Sequence, residues 1–190
     1  MTEPIRTFIA VPLTERVREE ITGVIEQLKY LGGNVRWAAP VSLHLTLKFL
    51  GDLAPTRCSE VFEGTKTALK GFAPFRIRFS GTGAFPNLRR PRVFWVGVED
   101  HGAMLEQIQG ALEDTLALRG FPREKRSFSP HLTIGRVRSM GDFRKLTSVL
   151  REMTFVSDEM AVDEVAVMKS DLRPTGALYT CLESYKLPIT

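Results

Sequence analysis

The chain has 190 residues, with 26 lysines and arginines against 22 aspartates and glutamates, and a sequence pI of about 9.3. This length suffices for a sizeable core, and no apolar run is long enough to span a membrane. The N-terminus lacks the pattern of a secretory signal, and two cysteines do not require a disulfide framework. We therefore expect a cytoplasmic protein that does not bind membranes.

The periodicity of apolar residues predicts a mixture of helices and strands. In chain order the predictions are a strand over 5–11, a helix over 14–31, a strand over 35–37, a strand over 43–49, a helix over 55–70, a strand over 75–80, a loop over 81–91, a strand over 92–98, a helix over 104–116, a basic connection over 122–126, a strand over 128–137, a helix over 143–150, and strands over 160–168 and 178–187.

This order of elements repeats when the chain is moved along itself by 87 residues, the separation of His44 and His131. The first strand and the helix after it then coincide with their counterparts in the second half. We predict one domain over residues 1–190 with an internal repeat of about 5–86 and 92–188. Two such halves predict a pseudo-twofold arrangement around a central cleft.

Each half contains one His-x-Thr unit flanked by aliphatic residues. Because side chains alternate along a strand, His44 and Thr46 share one face, as do His131 and Thr133. One such unit would be an ordinary half-buried histidine, but two at equivalent positions favour a function. At neutral pH one of two facing histidines can be a neutral base while the other is a protonated acid, which suits in-line displacement at phosphorus. The threonine hydroxyls can donate hydrogen bonds to phosphate oxygens.

Basic residues cluster around the predicted connections, as a phosphate-bearing partner would favour. The clusters are Arg89, Arg90 and Arg92; Arg123, Lys125 and Arg126; and Arg136 and Arg138. Arg136 would lie on the face opposite His131 in a regular strand. It reaches a phosphate only if Gly135 introduces a bulge or the strand ends there.

Metal and serine chemistry fit the sequence less well. A zinc site needs three or four ligands, and the third histidine, His101, is far in sequence from both His-x-Thr units. No Gly-x-Ser-x-Gly motif is present. We therefore expect neither a metal nor a cofactor.

The sequence resembles the 2H phosphoesterases, and within them the RNA 2′,3′-cyclic phosphodiesterases, also called 2′-5′ RNA ligases. The likeness lies in the two His-x-Thr units and in the residues around them. The matching stretches are 6–10, 35–37, 43–51, 81–86, 90–93, 120–122, 128–137 and 170–174, followed by Tyr179.

The resemblance implies an α+β fold of two pseudo-symmetric lobes, each an antiparallel sheet with outer helices, around a V-shaped cleft (LigT-like). It implies metal-independent hydrolysis of an RNA 2′,3′-cyclic phosphate end to a 2′-phosphomonoester. His44 would be the proton donor and His131 the proton acceptor, while Thr46, Thr133 and Arg136 would bind the phosphate. We expect RNA or an oligonucleotide with such an end as the partner of a monomeric protein.

Two alternatives remain open from the sequence. The reverse reaction at the same site joins a cyclic-phosphate end to a 5′-hydroxyl, so 2′-5′ ligation can be the principal role. A module that binds RNA ends without turnover would also use the basic clusters. Base stacking through Trp37, Phe49 or Phe85 is compatible with either alternative.

Overall fold

The computed structural model describes residues 3–139, 141–173 and 176–188. Within these ranges the strands are β1 (Ile5–Pro12), β2 (Val35–Trp37), β3 (His44–Leu53), β4 (Phe75–Phe85), β5 (Val93–Glu99), β6 (His131–Val137), β7 (Val156–Val162), β8 (Glu164–Arg173) and β9 (Gly176–Lys186). The helices are α1 (Glu15–Lys29), α2 (Cys58–Ala68), α3 (Met104–Ala117) and α4 (Arg144–Glu152), with short 3-10 turns at Pro40–Ser42 and Pro55–Arg57. Pro174, in the last of the matching stretches, lies outside the described residues.

The strands form two antiparallel sheets, so the expected α+β fold with outer helices is confirmed. The first, which we call the His44 sheet, has the order β3-β1-β8-β9. The second, the His131 sheet, has the order β2-β6-β5-β4-β7. None of the helices in the described ranges is both long and apolar enough to cross a bilayer.

Each sheet combines strands from both halves of the chain. β8 comes late in the sequence but pairs with β1, whereas β4 comes early but pairs with β5. The order β3-β1-β8 in one sheet is therefore matched by β6-β5-β4 in the other. β4 of the first predicted half and β8 of the second each lie in the sheet that carries the histidine of the other half.

Two predicted strands have different bounds in the structure because of the strands with which they pair. β4 continues to Phe85 because Thr82 to Phe85 still pair with β5 beyond an irregularity at Gly81. The predicted strand over 160–168 is divided at Asp163, because β7 pairs with β4 and β8 pairs with β1. The chain thus passes from one sheet to the other at Asp163.

The apolar faces of the helices supply the outer layer of the core. α1 buries Val17, Ile21, Val24, Ile25 and Leu28 at helical spacing. α2 and α3 pack against each other, and a Cβ at Gly64 of α2 would lie 2.6 Å from Leu116 Cδ2 of α3. Since α2 also contacts β8 and α3 contacts β3, this helix pair packs against the His44 sheet.

A buried ion pair ties β3 to α3. Lys48 Nζ donates to Glu113 Oε2 at 2.7 Å and to the Pro122 carbonyl oxygen at 2.9 Å. The other carboxylate oxygen of Glu113 accepts from Gln109 Nε2 at 3.0 Å. The Lys48 and Glu113 side chains are only 1% and 8% exposed, so each charge depends on the other for compensation.

Candidate active site

A bulge in β6 decides which side chains join His131 on its face of the sheet. Directly paired residues point to the same side, and His131, Thr133 and Arg136 pair with Gly97, Trp95 and Val93. These three partners alternate along β5 and so share one side. The register shifts between Thr133 and Gly135, which leaves Ile134 without a partner in this ladder and reverses the alternation. Arg136 therefore lies on the same face as His131.

The same irregularity occurs in β3. His44, Thr46 and Phe49 pair with Pro12, Ala10 and Phe8 of β1, and the register shifts between Thr46 and Lys48. Phe49 is thereby brought to the face of His44, while Lys48 is turned towards Glu113. We call these two surfaces, bearing His44 and His131 respectively, the histidine faces of the two sheets.

Both imidazole rings are held by the same hydrogen bond. His44 Nδ1 is 2.8 Å from the Ser42 carbonyl oxygen, and His131 Nδ1 is 2.7 Å from the Ser129 carbonyl oxygen. A carbonyl oxygen can only accept, so Nδ1 of each ring carries a hydrogen. Nε2 is therefore the nitrogen that gains or loses a proton on each ring.

Aromatic side chains fix the orientation of each imidazole. The ring of His44 lies 4.6 Å from that of Phe8 and 4.9 Å from that of Tyr179, the latter nearly perpendicular. The ring of His131 lies 4.9 Å from that of Phe85, again nearly perpendicular. Edge-to-face contacts of this kind are favourable beyond the area they bury.

Arg136 links the two histidine faces electrostatically. Burial lowers the pKa of His44, and the positive charge of Arg136 lowers that pKa further. Burial raises the pKa of Tyr179, and the charges of Arg136 and Arg6 oppose that rise. Arg136 belongs to the His131 sheet and acts on His44 and Tyr179 of the other sheet. The two histidine faces thus adjoin where β3 and β6 contact each other, with Arg136 close enough for its charge to act on His44.

The site contains residues to which sequence reasoning gave no role. Tyr179 and Phe8 contact His44, and Arg6 lies over the Phe49 ring at 4.7 Å from its centre. Arg6, Phe8 and Tyr179 all occur in the stretches that carry the family resemblance. The alternation along β1 places Arg6 and Phe8 on one face, but only the sheet order brings β1 next to β3.

The arrangement suits proton transfer at an anionic group. It supplies two imidazole nitrogens, two threonine hydroxyls and the Arg136 guanidinium on two faces that adjoin. In the part of the chain that the structure describes, no three histidine, cysteine, aspartate or glutamate side chains are grouped as metal ligands. His101 is exposed in the turn before α3.

Comparison with known proteins gives consistent relatives along the whole chain. Residues 15–174 match the model of the 2′-5′ RNA ligase superfamily. An RNA 2′,3′-cyclic phosphodiesterase of Methanothermobacter thermautotrophicus is 35% identical over 184 residues, covering 96% of this chain and 99% of the relative. A protein of the same name from Thermotoga maritima is 36% identical, covering 93% and 92%.

Solved structures agree with these matches. TT0787 of Thermus thermophilus has a TM-score of 0.76 at 28% identity, covering 96% of this chain and 97% of its own. E. coli LigT in complex with 3′-AMP has a TM-score of 0.78 at 25% identity, covering 97% and 99%. The resemblance found in the sequence is confirmed: the chain belongs to the 2′-5′ RNA ligase superfamily.

Proposed function

We propose that the protein hydrolyses the 2′,3′-cyclic phosphate at an RNA end to a 2′-phosphomonoester, with two histidines and without a metal. The observation that carries this proposal is the matched pair of imidazoles, each with Nδ1 bound to a carbonyl oxygen two residues earlier. That bond leaves Nε2 of each ring available for one proton. The names of the relatives support the substrate class.

The two rings take opposite roles in the proposed reaction. His131 Nε2 accepts a proton from water as the water oxygen attacks phosphorus in line with the bond to the 3′ oxygen. The phosphorus–O3′ bond breaks, and His44 Nε2 gives its proton to the departing oxygen. The assignment of acid and base follows the family resemblance.

Thr46, Thr133 and Arg136 bind the phosphate in this scheme. The two hydroxyls donate to non-bridging oxygens, and the guanidinium compensates the charge that grows on them in the transition state. A phosphate anion beside His44 and Arg136 also offsets the repulsion that lowers the pKa of His44. Substrate binding therefore favours the protonated, acidic form of His44.

A product assay tests the proposal directly. An RNA oligonucleotide with a 2′,3′-cyclic end is incubated with the enzyme, and the 2′- and 3′-phosphate products are separated. We expect the 2′-phosphate alone, with turnover unchanged by EDTA. His44→Ala and His131→Ala should each reduce turnover about 10²-fold or more, whereas the matched control His101→Ala, at an exposed turn, should retain it. Full turnover in either of the first two variants contradicts the proposal.

The same assay addresses the non-catalytic alternative. A protein that only binds RNA ends would retain the cyclic-phosphate oligonucleotide through a long incubation without forming product. We further propose that the protein acts as a monomer in the cytoplasm; the first point is tested by sedimentation and the second by cell fractionation.

A further inference from the structure

Two arginines lie directly opposite each other at one edge of the His131 sheet. Arg36 of β2 pairs with Arg136 of β6, and directly paired residues point to the same side of a sheet. Arg136 lies on the histidine face, so Arg36 lies there too. Both residues are exposed, whereas the neighbours of Arg36 in β2, Val35 and Trp37, pack against the core. The sheet thus presents two guanidinium groups side by side on the face that bears its histidine.

The opposite edge of the same sheet shows how exposed arginines are compensated elsewhere in this protein. There Arg78 of β4 pairs directly with Glu159 of β7, and its Nη2 lies 3.5 Å from Glu159 Oε1. Arg76 Nη1 lies 3.8 Å from the other oxygen of that carboxylate. Among the described residues neither Arg36 nor Arg136 has an ion-pair partner. Like charges directly opposite each other destabilise a sheet, and an anion bound between them would remove the repulsion.

The segments around this arginine pair add positive charge and no negative charge. The connection from β4 to β5 is joined to the end of β6, since the Arg92 carbonyl oxygen accepts from the Val137 backbone N–H at 2.9 Å. That connection also contains Arg89 and Arg90. No aspartate or glutamate occurs in the three segments that meet at this end of the sheet, which are 33–40, 86–92 and 134–139. The positive field here therefore lacks an internal counter-ion.

The proposed reaction indicates on which side the rest of the substrate lies. In an in-line displacement the attacking water and the leaving 3′ oxygen are on opposite sides of phosphorus. If His131 activates the water, the ribose that carries the 3′ oxygen is on the side of His44. β2 is the edge strand of the His131 sheet, and only residues 38–43 separate it from His44. Arg36 is therefore on the side on which the ribose and any group attached to its 5′ oxygen lie.

We propose that Arg36 binds the phosphate on the 5′ oxygen of the terminal nucleotide, which in RNA is a phosphodiester, while Arg136 stays at the cyclic phosphate. This inference rests on the proposed function and narrows its substrate. Directly opposite residues have Cβ atoms about 5 Å apart, so two long side chains can hold two neighbouring phosphates. Guanidinium and phosphate form paired charge-assisted hydrogen bonds. Arg36 thus makes the enzyme select the end of an RNA chain over a nucleoside 2′,3′-cyclic phosphate.

The first test compares three substrates with the same reacting group. They are adenosine 2′,3′-cyclic phosphate, the same nucleotide with a 5′-phosphate, and a dinucleotide that ends in it. In the wild type kcat/KM should rise about tenfold from the first substrate to each of the others, as expected for one contact between charged groups. In Arg36→Gln most of this gain should disappear, while kcat/KM for the first substrate stays close to the wild-type value.

The matched control for this test is Arg78→Gln. Arg78 lies on the same face at the opposite edge of the sheet, so its removal changes the net charge equally without touching the proposed subsite. The control should keep the full gain. Because Arg36→Gln removes a repulsion, its midpoint of chemical denaturation should be no lower than that of the wild type. A folding defect is thereby distinguished from a lost contact.

The second test removes the charge from the substrate instead of the protein. The dinucleotide is prepared with an uncharged methylphosphonate as its internal linkage. The wild type should lose about tenfold in kcat/KM on this substrate, and Arg36→Gln should lose little more, because both changes remove the same contact. Losses that multiply would show that Arg36 and the linkage act independently, which overturns the inference. With the natural linkage, Arg36→Gln should also reduce the slope of log KM against log salt concentration by about 0.7.

The outcomes separate this inference from the proposed function. An equal loss in Arg36→Gln on all three substrates, or no loss on any, overturns the subsite while hydrolysis stands. A gain from the 5′-phosphate that the dinucleotide does not share assigns the subsite to a free nucleotide and overturns its use by RNA. If the wild type turns over none of the substrates, the proposed function fails. Binding of a dinucleotide with a 2′-phosphate end, measured by calorimetry, then decides alone: weaker binding in Arg36→Gln but not in Arg78→Gln supports the subsite, and equal binding overturns it.

Discussion

The two histidine faces share a backbone plan and differ in the residues placed on it. Both have a His-x-Thr unit, a register shift directly after the threonine and a carbonyl oxygen bound to Nδ1. Opposite the threonine of each unit, β1 has the small Ala10, whereas β5 has the partly exposed Trp95. The aromatic residue of β1, Phe8, pairs with Phe49 beyond the register shift and is buried beneath His44 and Tyr179. In the proposed function the common plan supplies the acid–base pair, and the differences lie in the aromatic residues beside each ring.

The largest test of this comparison is whether the two histidines are chemically distinct. His44→Ala and His131→Ala should each reduce turnover of a cyclic-phosphate RNA about 10²–10⁴-fold, the usual contribution of a general acid or base. On a 4-nitrophenyl phosphodiester, whose leaving group needs no proton, His44→Ala should recover most of its activity and His131→Ala should not. Steady-state rates on both substrates measure this, and equal recovery in both variants would contradict distinct roles.

A second test concerns the residues that follow the two register shifts, which are Lys48 in β3 and Gly135 in β6. Lys48→Met leaves the buried carboxylate of Glu113 without its cation, so the free energy of unfolding should fall by about 3–5 kcal/mol. Adding Glu113→Leu should restore most of the loss, and Lys145→Met on the exposed side of α4 serves as control. Chemical denaturation measures all three. A loss as small as that of the control would mean that the ion pair is dispensable.

The equivalent change in β6 should have a smaller effect on stability. A Cβ at Gly135 would lie 2.8 Å from Trp37 Cε3 and 2.9 Å from Val35 Cγ1. Gly135→Ala should therefore lower the free energy of unfolding by about 1–3 kcal/mol, through overpacking. It should also lower activity, because Arg136 follows directly. In Gly110→Ala on α3 the Cβ would meet nothing within 4 Å, so that control should gain up to about 1 kcal/mol. If Gly135→Ala keeps full activity, the function of Arg136 does not depend on the backbone conformation at the bulge.

The smallest expected effect is on the titration of His44. Burial and Arg136 lower its pKa in the folded protein, so the folded state binds fewer protons than the unfolded state below pH about 6.5. Stability should therefore fall as the pH decreases through that region. Arg136→Gln removes one of the two causes and should raise the pKa of His44. NMR titration of the imidazole measures this, and an unchanged pKa would place Arg136 too far from His44 to contact the same phosphate.

Strand periodicity was sufficient to predict which histidine and threonine side chains share a face of each sheet. A period of two placed His44 with Thr46 and His131 with Thr133, and no long-range information was needed. The same rule alone would have placed Arg136 on the wrong face, because a register shift depends on pairing with a neighbouring strand. Tyr179 shows the same limit, since β9 and β3 are opposite edges of the His44 sheet and no local pattern indicates that their side chains meet. The division of the predicted strand at Asp163 likewise depends on which sheet each part joins.

The exchange of β4 and β8 between the sheets affects the order in which the two sheets can form while the chain is being synthesised. β4, β5 and β6 of the His131 sheet are adjacent in the sequence, so their pairing can begin as soon as β6 has left the ribosome. In the other sheet Thr7 of β1 pairs with Lys169, near the end of the chain. Until then the second edge of β1 stays open to wrong partners, and forming this non-local contact is the slower step of folding. The His44 sheet is thus completed last during synthesis.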